Sequence, residues 1–376
     1  MKKFLKALLV LLAMFMIVAC SADNGDKPED PVAPENGEKE ETPPAADGKT
    51  YEIGVAIYQF DDNFMTLYRT ELEKYFGELG EKDGNTYNVE IVDSANDPAK
   101  QNEQLNNFLS QGKDLIIANL VSPSGADVFL NAAKDADVPV VLINREPAVD
   151  TLEIFPGKTT YVGVDARQSG TYQGEIIAAL DNKGDINGDG VVKYLMILGD
   201  TENVDAQQRT QYSIEALEKE IKTERLGPGL RANWKAEEAQ PLVANALTQF
   251  GDDVEVIFAN NDGMGLGALT SIEAAGRKVN EDIYLVSVDA LDEVVELVLE
   301  GKYTGTVLND HFNQSHTAAE VAVKLLNGEE VEAYYWHDYV KVLTADDAKL
   351  VRKDFRTETI EQYKERMETI TDKPID

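Results

Sequence analysis

Acids and amides stand just past the carboxyl ends of several short apolar runs in this sequence: Asp62 after "YEIGVAIY", Asn119 in "DLIIANL", Asn261 after "VEVIFAN", Asp289 in "YLVSVDA" and Asn309 after "YTGTVL". A carboxylate accepts hydrogen bonds, and an amide both donates and accepts. In open α/β sheets, ligands bind outside the carboxyl ends of the strands. Singly, each of these residues could equally be the N-cap of a following helix; jointly they point to one polar cleft. Asp205 and Arg209, four apart in "VDAQQR", add a carboxylate and a guanidinium, unless they are only a solvated pair on one helix face. A second constellation is "DINGDGVVK". Asp185, Asn187 and Asp189 fall at positions 1, 3 and 5 of a calcium-type loop, with Gly190 at 6. Position 12, where such a loop needs a glutamate, is Met196, and position 9 is Lys193. An ion site and a bare "NGDG" turn both remain open on spacing alone.

The elements that must position these groups alternate. "YEIGVAIY", "NVEIVDS", "DLIIANL" and "VPVVLIN" read as strands, separated by segments of helical spacing such as "NFMTLYRTELEKYFGEL" and "PAKQNEQLNNFLSQG". A second series runs from "TTYVGVD" through "VKYLMILG", "VEVIFAN" and "YLVSVDA" to "YTGTVLN", with a last helix expected near 313–326. Strand–helix alternation implies an α/β fold with parallel sheets covered on both faces, and two series imply two similar lobes. If the lobes face each other, the polar strand ends share a cleft.

The chain of 376 residues carries a formal charge of −34. Such acidity opposes binding to nucleic acid phosphates, and no nucleophile elbow, phosphate loop or zinc motif appears. His311, His316 and His337 match no metal spacing. A glycosidase working with two of Asp62, Asp205 and Asp289 would need one raised pKa and a set carboxylate separation; the Asn and Arg beside each acid favour static hydrogen bonding instead. At the N-terminus, Lys2, Lys3 and Lys6 precede an apolar run from Ala7 to Ala19, the layout of a secretory signal and short for a membrane span. The run ends in "IVAC", which resembles a bacterial lipobox. That resemblance implies a signal at 1–19 and a lipidated Cys20 that tethers without spanning. The lone cysteine at this junction excludes an intramolecular disulfide. The acidic, proline-rich stretch 20–49 is expected to be a disordered linker.

The stretches "IGVAIYQFDDNFM", "ANLVSP", "INREP", "VDAQQRTQY", "VEVIFANND", "VDALDE" and "GTVLND" keep one order over roughly residues 50–350. Together they resemble the bacterial D-galactose/D-glucose-binding proteins, solute-binding subunits of ABC sugar importers with the periplasmic-binding-protein type I fold. The resemblance implies two Rossmann-like lobes joined by three hinge strands, here 50–143 plus 310–343 and 144–309 plus 344–376. It implies no enzyme activity, a monomer held outside the cytoplasm by its lipid, a glucose or galactose ligand, and an ABC permease as partner. A chemoreceptor or sensor kinase is the alternative partner, and another monosaccharide the alternative ligand. Carried over by motif, Asp62, Asn119, Asp205, Arg209, Asn261, Asp289 and Asn309 would bond sugar hydroxyls and ring oxygen, and Phe64 and Trp234 would form apolar walls. Asn203 stands where the family has a histidine, which puts the contact to the exocyclic hydroxymethyl in question. The family's calcium loop takes its bidentate glutamate from a distant strand, here Glu255, beside Asp185, Asn187, Asp189 and the Val191 carbonyl. Structural Ca2+ is expected on that basis, with Lys193 unable to serve as the position-9 ligand. The tail after about Arg352 reads as one charged helix, packed or solvated.

Overall fold

A computed structural model describes residues 48–347 and 355–372. The signal expected at 1–19, lipidation at Cys20 and nearly all of the expected 20–49 linker lie outside those residues. The chain begins with β1 (Thr50–Ile57), α1 (Asn63–Asp83), β2 (Thr86–Asp93), α2 (Pro98–Gln111), β3 (Leu115–Ala118), α3 (Ala126–Asp135), β4 (Val140–Asn144) and β5 (Thr159–Val164). It continues with α4 (Ala166–Ala178), β6 (Val191–Leu198), α5 (Val204–Leu217), β7 (Lys222–Arg225), β8 (Leu230–Arg231), α6 (Ala236–Phe250), β9 (Val256–Ala259) and α7 (Asp262–Ala274). The rest comprises β10 (Tyr284–Asp289), α8 (Asp292–Leu299), β11 (Gly305–Leu308), α9 (His311–Leu326), β12 (Tyr334–His337), β13 (Val340–Val342), β14 (Phe355–Glu358) and α10 (Ile360–Glu368).

These strands form two sheets, in the orders β14-β12-β5-β4-β3-β1-β2 and β13-β11-β10-β9-β6-β7, with β8 paired to β6. Pairing is parallel except at β12–β14 and β11–β13. Central strands such as β3 "LIIA" and β9 "VIFA" are buried at every position, as strands covered by helices on both faces must be. Edge strand β2 instead alternates exposed and half-buried residues along most of its length. Helix boundaries follow local chemistry. Asp97 caps α2 by accepting from the Ala99 and Lys100 N–H groups, with Pro98 in the first turn, and Gly84 ends α1 in the left-handed region at φ 79°. The described chain passes between the sheets after β5, after β11 and between β12 and β13, the three hinge segments of the expected fold.

The expected lobe boundaries need correction. Thr159–Val164, placed in the second lobe from sequence, pairs with β4 and β12 in the first sheet. Val340–Val342 joins the second sheet, and Phe355–Glu358, expected in the second lobe, joins the first. No α-helix separates β4 from β5, and that break in the alternation was misread as the boundary between lobes. What decides the matter is packing: the Tyr161 hydroxyl donates to the Asn144 carbonyl, and its ring meets Trp336 at 5.0 Å. The tail is not one helix either, since β14 precedes α10.

Candidate functional site

The strand ends do converge. A cavity lies between the lobes, lined from the first lobe by Tyr58, Asp62, Phe64, Met65, Asn144 and Arg145. The second lobe contributes Asn203, Asp205, Arg209, Trp234, Asn261, Asp289 and Asn309. Beside the cavity, ion pairs span the lobes, among them Asp61 with Lys235 at 3.0 Å and Arg145 with Asp200 at 4.0 Å, so this is a closed arrangement.

The capping and cleft readings prove to be compatible. Asp62 caps α1, its Oδ1 accepting from the Met65 N–H at 2.8 Å, while Oδ2 accepts from the Tyr58 hydroxyl at 2.5 Å. Asn203 caps α5 through the Asp205 N–H, and Asn261 caps α7 through the Met264 N–H. Each cap fixes the rotamer of a side chain that also lines the cavity. Asp289 caps nothing: the N-cap of α8 is Leu291, and no side chain caps that helix. Its carboxylate accepts from Asn309 Nδ2 at 3.2 Å, and Gln314 Nε2 holds the other end of that amide at 2.8 Å. Arg209 donates to the Asn260 carbonyl and to the Tyr339 hydroxyl, with Asp205 at 3.8 Å and Asp289 at 4.0 Å. Its guanidinium lies 5.7 Å from the Trp234 ring.

Asn119 does not line the cavity. Its Oδ1 accepts from the Tyr58 N–H, and its Nδ2 donates to the Ile143 carbonyl and to Asn144 Oδ1. It stands behind the wall and orients Asn144. Tyr58, Met65, Asn144 and Arg145 were missed as site residues, although Asn144 ends β4 and Arg145 follows it in "INREP", at the same carboxyl end of the sheet as Asp62 beyond β1. Arg145 lies 3.8 Å over the Tyr58 ring and donates to the Val121 carbonyl at 2.6 Å. Three lining residues hold left-handed or otherwise positive backbone, Asn144 at φ 63°, Trp234 at 70° and Asp289 at 126°. Such conformations are costly for residues other than glycine and cluster at binding sites, where surrounding structure enforces them.

Electrostatics follow from burial. Desolvation pushes the Asp205 carboxyl up to about 6, Arg209 opposing. Burial likewise pushes Asp289 well up, again against Arg209. Burial lowers Arg209, but Tyr339, Asp289 and Asp205 outweigh it, so the guanidinium stays charged. Several buried polar atoms of lining residues have no hydrogen-bond partner among the described residues: Asp205 Oδ1, Arg145 Nε and Nη2, Arg209 Nε and Trp234 Nε1. Buried polar groups are ordinarily paired, so this set is prepared for a ligand that both donates and accepts.

Residues 53–330 match the model of the periplasmic binding protein domain. The chain belongs to the periplasmic binding protein family. As such it is a solute-binding protein of the ABC sugar-transporter class, not an enzyme, and its site is extracytoplasmic. It is 36% identical over 291 residues to the D-galactose/methyl-galactoside binding periplasmic protein of Haemophilus influenzae, covering 76% of this chain and 83% of that one. It is 25% identical to the ribose import binding protein of Bacillus subtilis, over 88% and 96% of the two chains. Among solved structures, an ABC transporter solute binding protein from Bacillus halodurans with bound myo-inositol superposes with a TM-score of 0.70 at 28% identity, covering 81% of this chain and 97% of that one. No helix among the described residues is long and apolar enough to cross a membrane.

The loop expected to hold calcium in this binding protein is built differently from a ligand cage. Glu255 does reach it, as the sequence implied, but Oε1 accepts from the Ile186 and Asn187 N–H groups and Oε2 from that of Lys193. Asp185 accepts from the Gly188, Asp189 and Gly190 N–H groups, and Asp189 Oδ1 from Val191. Lys193 turns inward: its ammonium is 3.3 Å from Asp189 Oδ2 and 3.3 Å from Asp253 Oδ1. Hydrogen bonds to those two acids hold the Lys193 ammonium above its ordinary range. A divalent ion bound to Asp189 would share that carboxylate with the Lys193 ammonium, which opposes a cation there.

Proposed function

We propose that this protein captures a hexose, glucose or galactose, in the cavity between its lobes and delivers it to an ABC permease. The observation that carries the reading is the set of unpaired buried atoms on Asp205, Arg145, Arg209 and Trp234. A hexose offers hydroxyls that donate to carboxylates and accept from guanidinium and indole N–H groups. Bonds with one charged partner are about twice as strong as neutral ones. Phe64 and Trp234, from opposite lobes, supply flat apolar area without asking for further hydrogen bonds. The galactoside-binding relative supports a hexose, while the ribose- and myo-inositol-binding relatives define the competitors. Asn203, spent on capping α5, argues for a weaker hold on an exocyclic hydroxymethyl than a longer side chain would give.

Calorimetric titration of the full chain with glucose, galactose, ribose and myo-inositol tests this. Tightest binding of one of the two hexoses is expected. Binding of none of the four sinks the proposal, and a preference for myo-inositol replaces the hexose with a cyclitol. The same reading tethers the protein to the cell membrane outside the cytoplasm by a lipid on Cys20; Cys20→Ser should then move it from the membrane to the soluble fraction. The sugar-sensor role shares this pocket and differs only in partner. The calcium-type loop, in this reading, is closed by the Lys193 ammonium in place of a metal.

A further inference from the structure

The C-terminal segment does more than cover a sheet edge. It is seated on the first lobe: β14 pairs with β12, and Tyr363 of α10 is buried against Tyr334 and Trp336, with ring centroids at 4.2 and 5.9 Å. From that base its side chains reach the residues that bracket the β5–α4 hinge passage. The Tyr363 hydroxyl donates to Glu146 Oε1 at 2.7 Å. Arg366 Nη1 donates to Asp165 Oδ2 at 2.9 Å, and Asp165 is the N-cap of α4. Asp372 accepts from Arg167 Nη2 at 2.7 Å and Nε at 3.2 Å, a two-pronged pair, and also meets Tyr212 and Gln208 of α5. Gln208 and Arg167 in turn both donate to Glu146 Oε2, at 3.0 and 3.2 Å. Helices α4 and α5 pack together, and α4 lies on strands of the second sheet, so the tail bridges the lobes. The bridge sits one residue behind the cavity, because Glu146 follows Arg145 and Gln208 precedes Arg209.

We infer that residues 355–372 form a clasp across the hinge, in which Asp372 gripping Arg167 holds the lobes in the sugar-retaining arrangement and positions Arg145 and Arg209. The geometry suits the role. Forked guanidinium–carboxylate pairs are specific in direction as well as strong, and Arg167 is largely buried. Tyr363, Arg366 and Asp372 touch Glu146, Asp165 and Arg167 respectively, so the tail holds residues on both sides of the passage. Arg167 keeps Glu146 and Asp165 as partners when Asp372 is neutralised, so the substitution need not unfold the chain.

The inference rests on the sugar-binding proposal only for one of its two readouts. In the full-length protein, Asp372→Asn and Asp372→Glu are compared with the parent. Hydrogen exchange without sugar reads the amides of residues 164–169 directly; Asp372→Asn should speed their exchange roughly tenfold, and Asp372→Glu should leave it close to the parent's. Stopped-flow tryptophan fluorescence reads sugar binding through Trp234; Asp372→Asn should raise the dissociation rate about fivefold with the association rate changed less than twofold. Unchanged exchange at 164–169 in Asp372→Asn overturns the clasp, as does a glutamate that behaves like the asparagine. If the parent binds no sugar, the functional proposal fails and the exchange experiment alone decides the clasp.

Discussion

Gly199 follows β6 against the Trp234 ring, and a methyl group there is a test of the Trp234 wall. A Cβ on Gly199 would lie 2.3 Å from Cζ2 and 2.4 Å from both Cε2 and Cη2 of the Trp234 indole, over 1 Å inside ordinary contact. Something must move. The Gly199 N–H is tied to Asn260 Oδ1 at 3.0 Å, and the Trp234 backbone is held at φ 70° with its carbonyl accepting from Asn261 Nδ2. The ring is therefore the part that gives, and its turning displaces the apolar wall. Overpacking of this kind typically costs about 1–3 kcal/mol. If the strain falls on the sugar complex, Gly199→Ala weakens binding roughly 5- to 150-fold. The assay is calorimetric titration of full-length parent and variant with the sugar the parent binds most tightly, beside a thermal melt of each without sugar. A lower melting temperature with unchanged affinity would refute Trp234 as a wall of the site. Parental values for both would refute the close approach itself.

Sugar affinity should fall as pH drops below about 6, because a hydroxyl donating to Asp205 favours the ionised carboxylate, and protonation of the empty site competes; titrations at pH 5 and 7.5 check this, and Asp205→Asn should flatten the difference. In the closed form without sugar the sign reverses: a carboxyl raised from 3.8 to about 6 favours the folded state at low pH, and that contribution is lost as pH rises through this window. The melting temperature of the parent should be the same in calcium and in chelator, and Lys193→Gln should create a calcium-dependent rise; a chelator-sensitive parent would show that the Lys193 ammonium does not replace a metal. Asn119→Ala leaves the Tyr58 N–H and Asn144 Oδ1 without a partner, while the Ile143 carbonyl still accepts from the Arg145 N–H, so a loss of about 2–3 kcal/mol in denaturant unfolding is expected, with weaker sugar binding through a loosened Asn144. Unchanged sugar affinity in that variant would count against Asn119 as an orienting residue.

The α/β class and the cleft were legible because strand–helix alternation and polar strand ends are local patterns. Asp62 and Asp289 could be placed in a cavity before any coordinates, since chain direction alone puts both at the same end of their sheets. Asn119 obeys the same rule yet faces backward, because its side chain satisfies three groups of neighbouring strands. No strand-end pattern distinguishes those outcomes; they depend on which neighbours carry unpaired groups. Membership of β5 in the first sheet was hidden for a related reason. Its partner β12 lies far along the chain, and sheet pairing over such separation leaves no trace in periodicity. The reach of Arg366 and Asp372 across the hinge was invisible for the same cause: a charged helix reads as solvated until its partners are located.

The unpaired atoms in the cavity also explain why closure should depend on the sugar. In an open protein, Asp205 Oδ1, the free Arg145 and Arg209 nitrogens and Trp234 Nε1 are hydrated. Closing the lobes without a ligand strips that water and returns no bonds. Each buried, unsatisfied group of this kind costs about 1–3 kcal/mol. Against that stand the exposed Asp61–Lys235 pair, in the class of surface ion pairs that contribute little, and the largely buried Arg145–Asp200 contact at 4.0 Å. The closed form without sugar thus carries a penalty from its own binding site, offset by these pairs and by the clasp contacts of Arg167 with Glu146 and Asp372, and a sugar removes the penalty by bonding those atoms. A clasp at the hinge then acts on a nearly balanced equilibrium, where a modest change in one ion pair shifts the population of the closed state measurably.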